Sequence, residues 1–209
     1  RRPADGAGVP DDRRRRSGLE AQRLEPVTVY LGLGSNLGQR EANLARAIQL
    51  LGQPFNSAKG EPFDKDQDRR VAPLRASSIY ETAPWGYTEQ PPFLNCVVEA
   101  ETTLPPPLLL QSVQELEKAM GRKPGFRYGP RLIDVDILLY GSLTIDQPDL
   151  QIPHPRIPER AFVLIPLAEL APVLVHPTLQ LPIAELARRV QGQGSVTRWG
   201  APPTIPGSL

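Results

Sequence analysis

The chain has 209 residues, with 24 Lys and Arg against 23 Asp and Glu, for a net charge of +1. That length supports one domain with flanking segments, and the balanced charge gives no global attraction to nucleic acid or a membrane surface. The 25 prolines, more than double the usual share, argue against an all-helical bundle, and the single cysteine excludes an intrachain disulfide or a cysteine-based zinc site.

Residues 1–26 hold Gly, Pro, Asp and the run Arg13 to Arg16 but almost no apolar side chains. Such a segment cannot offset its chain entropy by burial, so a disordered, solvated tail is expected, ahead of a basic arm for nucleic acid. The folded domain is expected over residues 27–190. It opens with a β-branched strand, Val27 to Leu31. A glycine-rich loop, Gly32 to Gly38, follows, and then a helical stripe through Leu44, Ile48 and Leu51. Residues 53–75 are polar and charged and read as a long exposed loop. A short strand at 76–80, a loop at 81–92 and an alternating strand at 93–101 come next. The last of these carries Cys96, read as a buried and inert thiol. Pro105 to Met120 has Leu108, Leu109, Val113 and Leu116 at helical spacing, with its prolines at the start, where they fit. A basic loop with glycines spans 121–130. An apolar strand, 132–140, is interrupted by two aspartates, and 141–149 reads as a hairpin turn and a short return strand. Helices are expected at 161–170 and 183–190, and residues 191–209 as a flexible C-terminal tail. The order β-α-β-β-α-β predicts an α+β fold of the ferredoxin-like, split βαβ type. Its antiparallel central sheet would carry helices packed on it and accessory C-terminal elements. No apolar run approaches the ~20 residues needed to span a bilayer, so a cytoplasmic protein with no membrane partner is expected.

Asp134 and Asp136 carry the chemistry. Positions i and i+2 of a strand point to one face, roughly 7 Å apart, while Ile133, Val135 and Ile137 point to the other. Two carboxylates on an apolar strand resist burial unless a cation lies between them. Hard oxygen ligands at this spacing suit one or two magnesium ions that also hold phosphates. On the pair alone, a metal site and two solvent-facing or arginine-paired aspartates are equally good readings. Arg122, Lys123, Arg127 and Arg131 lie within a few residues and tip the balance, because guanidinium groups bind phosphate oxygens and neutralise charge in phosphoryl transfer. The competing reading is a surface salt-bridge network. Gly121, Gly125 and Gly129 favour a loop that can close over a nucleotide. Gly32 to Gly38 fits neither G-x-G-x-x-G nor a Walker sequence, and reads as permitting close approach of a flat ligand or a neighbouring loop. Trp85 and Phe93 offer stacking faces and Asn95 a planar donor and acceptor, together able to read a heteroaromatic ring. Taken singly, the aromatics are more often core residues. His154, near Arg156 and Arg160, suits a phosphate contact, and His176 is assigned nothing.

The segment Arg127-Tyr128-Gly129-Pro130-Arg131-Leu132-Ile133-Asp134-Val135-Asp136-Ile137-Leu138 resembles the signature of the 6-hydroxymethyl-7,8-dihydropterin pyrophosphokinases. Four further pieces agree in order: Gly34-Ser35-Asn36-Leu37-Gly38, Ser78 to Pro84, Phe93-Leu94-Asn95, and Ile152 to Arg156 with Glu159 to Phe162. The resemblance implies a ferredoxin-like fold and a folate-pathway reaction, in which ATP gives its terminal pyrophosphate to the pterin hydroxymethyl group and leaves as AMP. It implies two Mg2+ ions at Asp134 and Asp136, with Arg122 and Arg131 as further catalytic groups. It implies ATP contacts from Gln114, Glu117, Arg122, Arg127, Tyr128, Arg131, Ile137, His154 and Arg160. The pterin would lie among Gly34, Thr82, Ala83, Trp85, Phe93, Asn95 and Phe162. Pro124 stands where the family usually carries a basic residue. Small-molecule substrates, no nucleic acid and a monomer are expected. Two rivals are a nucleotidyltransferase, which would release pyrophosphate, and an RNA-binding ferredoxin-like sheet, which would present aromatics where the aspartates stand.

Overall fold

The computed structural model describes residues 25–53, 71–84, 86–122 and 129–206. Most of the expected N-terminal tail, much of the 53–75 loop, Trp85, and Lys123 to Tyr128, including Pro124 and Arg127, lie outside the described residues. The elements run β1 (Val27–Ser35), α1 (Arg40–Leu51), β2 (Val71–Ala76), β3 (Ile79–Thr82), β4 (Phe93–Thr102), α2 (Pro106–Ala119) and β5 (Asp134–Tyr140). They continue with β6 (Ile145–Asp146), β7 (Gln151–Ile152), α3 (Ala161–Leu170), α4 (Ile183–Arg189) and β8 (Val196–Gly200).

The main sheet has the order β5-β1-β4-β3-β8, with β2 also on β4, and every pairing is antiparallel. β2 and β3 are two halves of one interrupted strand along β4. At the break, Ser77 N–H donates to the Val97 carbonyl at 2.9 Å and Ser77 Oγ accepts the Val97 N–H at 2.9 Å. Counting β2 and β3 together gives the split β-α-β-β-α-β pattern read from the sequence.

Strand alternation sorts the core into two layers. On one face Val29, Leu31, Leu33, Cys96, Val98, Val135 and Ile137 pack with Leu44 and Ile48 of α1 and Leu109 and Val113 of α2. On the other, Tyr30, Val97, Leu138 and Leu139 pack with Val163, Leu164 and Leu167 of α3 and Ile183 and Leu186 of α4. Burial of the Cys96 thiol pushes its pKa up to about 12, consistent with an inert core residue. α3 is apolar nearly all round because it lies between the sheet and α4. Its C-terminal half is fixed by Glu169, whose carboxylate accepts from Ser78 N–H (3.1 Å), Ser78 Oγ (2.8 Å) and Tyr80 Oη (2.9 Å).

Four expectations are corrected. Gly32 to Ser35 is strand, not loop, since it pairs with β4 and β5 throughout. Residues 71–75 leave the expected 53–75 loop and join β2, held by pairing to Thr102 through Glu99. The short return strand at Ile145–Asp146 pairs with β7, not β5. The expected C-terminal tail contains β8, whose pairing with β3 extends the sheet. Thr197, Arg198 and Trp199 carry no apolar alternation, because β8 is an edge strand whose side chains are largely exposed.

Candidate active site

The sheet is left bare at one end of the α3 face. Register aligns Asp134, Gly34 and Asn95 in one row across β5, β1 and β4, and Asp136, Gly32 and Val97 in the next. The two glycines remove side chains from the central strand between the acids and the amide. A cavity opens there, lined by Gly32, Gly34, Thr82, Phe93, Asn95, Arg131, Asp134, Asp136, Arg160 and Phe162, among others. It contains about 710 Å³ of empty space, counting the open solvent at its mouth.

The two ends of the cavity differ in chemistry. At the polar-aromatic end, Asn95 Nδ2 donates to Thr82 Oγ1 at 2.7 Å, which fixes the plane of the amide. Gly34 is required there: a Cβ at this position would sit 2.8 Å from Asn95 Oδ1. Phe93 on β4 and Phe162 at the start of α3 line the same space. The Arg160 guanidinium lies 5.5 Å from the Phe162 ring centroid, in cation–π range.

The other end is charged. Arg131 Nη1 meets Asp134 Oδ1 at 2.6 Å and Arg122 Nη1 meets the same oxygen at 3.3 Å. Arg160 Nη1 meets Asp136 Oδ2 at 3.0 Å, and His154 Nε2 lies 3.9 Å from it. Burial and the neighbouring Asp136 push the Asp134 carboxyl above its ordinary range, against the pull of Arg131 and Arg122. Burial holds the His154 imidazole below its ordinary range, with Arg160 and Arg156 adding to that and Asp136 opposing it. Asn36, at the end of β1, ties the two ends. Its Oδ1 accepts Arg131 N–H at 2.8 Å, while its Nδ2 donates to Gln90 Oε1 at 2.9 Å and the Pro91 carbonyl at 3.1 Å.

Two adjacent carboxylates fit a hard, oxygen-seeking cation. No group of three or more His, Cys, Asp or Glu is gathered among the described residues.

Of the expected site residues, Gly34, Thr82, Ala83, Phe93, Asn95, Arg131, Asp134, Asp136, Arg160 and Phe162 line the one cavity. Arg122 reaches it through Asp134 and also pairs with Glu117. Glu117 is buried, and its Oε1 accepts the Val135 N–H at 2.9 Å, so it braces β5 and Arg122 and does not line the cavity. Gln114 is exposed on α2, and the Ile137 side chain is in the α1/α2 core layer; neither lines the cavity. Trp85, Arg127 and Tyr128 lie outside the described residues. The expected site residues leave out Gly32, Leu33, Cys96, Val97 and Val163, which also line the cavity, although Gly32 belongs to the glycine run read as admitting a flat ligand or a neighbouring loop. Reading β1 as strand through Ser35 would have found Gly32, which is two residues before Gly34 and so shares its face.

Residues 30–172 match the family described as 7,8-dihydro-6-hydroxymethylpterin-pyrophosphokinase. A 2-amino-4-hydroxy-6-hydroxymethyldihydropteridine pyrophosphokinase of Aquifex aeolicus is 39% identical over 159 residues, covering 76% of this chain and 89% of that protein. The protein of the same name from Bacillus subtilis is 44% identical over 141 residues, covering 68% and 76%. The "Folate synthesis bifunctional protein, mitochondrial" of Arabidopsis thaliana is 41% identical over 152 residues, but the chain spans only 24% of its length. The chain likewise spans 24% of the Dictyostelium discoideum folic acid synthesis protein FOL1. A wild-type Plasmodium falciparum HPPK-DHPS chain, crystallised with pterin and p-hydroxybenzoate, superposes with a TM-score of 0.58 at 17% identity, covering 81% of this chain and 44% of that one. At that identity it supports the fold alone. With the matched segment running through the bare sheet face and both ends of its cavity, the chain belongs to the 7,8-dihydro-6-hydroxymethylpterin-pyrophosphokinase family.

Proposed function

We infer that the chain transfers pyrophosphate from ATP to the hydroxymethyl group of 6-hydroxymethyl-7,8-dihydropterin, giving AMP and the pterin diphosphate, a step of folate biosynthesis. One observation carries the reading beyond family membership. A single cavity joins a flat polar-aromatic recess, Gly34 with Asn95, Phe93 and Phe162, to a carboxylate and guanidinium cluster, Asp134 and Asp136 with Arg131 and Arg160. A site for only one of the two substrates would need only one of these ends.

The pterin lies on the glycines, with its polar edge toward Asn95 and its ring between Phe93 and Phe162. Thr82 holds the Asn95 amide so that its free oxygen and remaining N–H face the ring. ATP lies at the charged end. Arg122, Arg131 and Arg160 bind phosphate oxygens, and His154 adds a neutral contact. We assign Arg127 and Tyr128 to ATP and Trp85 to the pterin side on the resemblance alone. Asp134 and Asp136 would hold two Mg2+ ions, which when bound neutralise triphosphate charge. The pterin hydroxyl oxygen forms a bond to the β-phosphorus and gives up its proton to water, the bond from that phosphorus to the α–β bridging oxygen breaks, and AMP departs with that oxygen. No described side chain is placed as a strong general base, so catalysis rests on orientation and charge stabilisation.

A monomer acting in the cytoplasm belongs to this proposal. No helix of the described residues is long and apolar enough to cross a membrane. Two plant relatives are named as mitochondrial, so fractionation of the source cells tests the compartment and sedimentation tests the monomer. The activity is tested by incubating the chain with ATP, Mg2+ and the hydroxymethyl dihydropterin and resolving the nucleotide products. AMP in equal amount to pterin diphosphate is expected. ADP, or free pyrophosphate, as the main product refutes the reading.

A further inference from the structure

We propose that Arg40 is a positioning residue for the pterin end of the site, acting from behind the sheet on both roots of the segment that joins β3 to β4. The proposal rests on the pterin reading of that end.

Arg40 opens α1. Its Nη1 donates to Glu81 Oε1 at 2.9 Å and to the Pro92 carbonyl at 2.8 Å. Glu81 immediately precedes Thr82, and Pro92 immediately precedes Phe93; Thr82 and Phe93 are cross-strand partners. One nitrogen therefore spans the mouth of the connection whose first and last strand residues line the cavity. Alternation places Tyr80 and Thr82 on the α3 face, where Tyr80 bonds Glu169, and Glu81 on the opposite face with Ile79. Arg40 does not line the cavity. Its influence reaches the ring site through Thr82, Phe93 and, by the Thr82–Asn95 bond, Asn95.

β8 supplies the third side. The register between β3 and β8 shifts between Ile79 and Tyr80: Tyr80 pairs with Arg198 and Ile79 with Gly200. Trp199 is therefore the extra residue of a bulge, a feature that re-aims a side chain. Its ring lies 5.1 Å from the Arg40 guanidinium carbon. This gives the half-exposed Trp199 a role that its exposure of 51% does not suggest. A partly exposed ion pair alone contributes little stability. Here the guanidinium is instead fixed on three sides, by a carboxylate, a carbonyl and an indole face. A lysine could keep the charge but not the planar stack.

The test compares Arg40→Ala, Arg40→Lys and Glu81→Gln with the native chain, using Arg46→Ala, an exposed change on the same helix, as control. Binding of the hydroxymethyl dihydropterin is measured in the presence of a non-hydrolysable ATP analogue and Mg2+, alongside KM for each substrate and the thermal midpoint. Arg40→Ala is expected to weaken pterin binding and raise pterin KM about 10-fold, in line with displacement of ligating groups by a fraction of an ångström. KM for ATP should stay within about 2-fold. Glu81→Gln should give a smaller loss, Arg40→Lys a partial recovery, and Arg46→Ala no change. Pterin binding within about 2-fold of native in Arg40→Ala overturns the proposal, as does an equal loss for both substrates that tracks the thermal midpoint across the series. If the native chain itself does not bind the pterin, the proposed function fails instead.

Discussion

Gly34→Ala is the sharpest probe of the site, because one added methyl group meets one named atom. The backbone at Gly34 is ordinary strand, so alanine brings no conformational strain. Its Cβ would lie 2.8 Å from Asn95 Oδ1, where ordinary contact starts at 3.4 Å. The Asn95 amide must therefore retreat by roughly 0.6 Å, or the strands must part. Asn95 cannot retreat freely, since its Nδ2 is held to Thr82 Oγ1 at 2.7 Å. Either that bond lengthens, at a cost of about 1 kcal/mol, or the amide no longer meets the ring edge. The methyl group also rises into the space where the ring would lie. Misplacement on this scale costs up to about 100-fold in a positioned site. We expect pterin KM to rise by roughly 10- to 100-fold, with ATP affinity within about 2-fold and the thermal midpoint within a few degrees of native. The assay is steady-state kinetics with each substrate varied in turn, paired with a thermal scan. A pterin KM within about 2-fold of native, with the fold intact, would refute the placement of the ring on Gly34.

Asp134→Ala and Asp136→Ala should each lower turnover by at least roughly 100-fold with the fold retained, read as AMP formed at saturating substrates. Near-native turnover in both would remove the metal assignment. Glu169→Ala leaves Ser78 N–H and Oγ and the Tyr80 hydroxyl without their shared acceptor and should lower unfolding stability by about 1–3 kcal/mol in urea titration. An unchanged midpoint would show that α3 is held by packing alone. Burial holds the His176 imidazole below its ordinary pKa, and its Nδ1 accepts from Thr178 and Leu179 N–H at 3.3 and 3.2 Å. The unfolded chain therefore binds the proton first as pH falls. Stability from this group is full above the ordinary His range, near pH 6.5, and is lost as pH drops through the lowered folded value. Chemical denaturation at about pH 7.5 and about pH 5.5 should show this loss, smaller in His176→Asn. An identical loss in both proteins would assign it elsewhere, His154 being the other imidazole shifted the same way.

The legible parts were those where local chemistry and the fold agree. Val27 to Leu31, the stripes of α1 and α2, and the i, i+2 spacing of Asp134 and Asp136 follow from strand and helix periodicity, which a linear sequence carries in full. α3 was delimited correctly at Ala161 to Leu170 because its apolar run sits between charged and proline-marked ends. The misread parts are those where pairing decides. Gly32 and Gly34 have loop propensity, yet they are strand because β4 and β5 flank them and supply both rows of hydrogen bonds. β8 has no apolar alternation of its own and exists because β3 presents an open edge.

Read alone, the sequence determined the acids, the arginines, the aromatic and amide residues and their family order, because residue type and spacing are local properties. Only the tertiary structure decided that Asp134, Gly34 and Asn95 form one row, since register is set between strands far apart in the chain. Only it placed Ile137 and Glu117 behind the sheet and brought Arg40 against both Glu81 and Pro92. Those are contacts across tens of residues, and no local pattern encodes them.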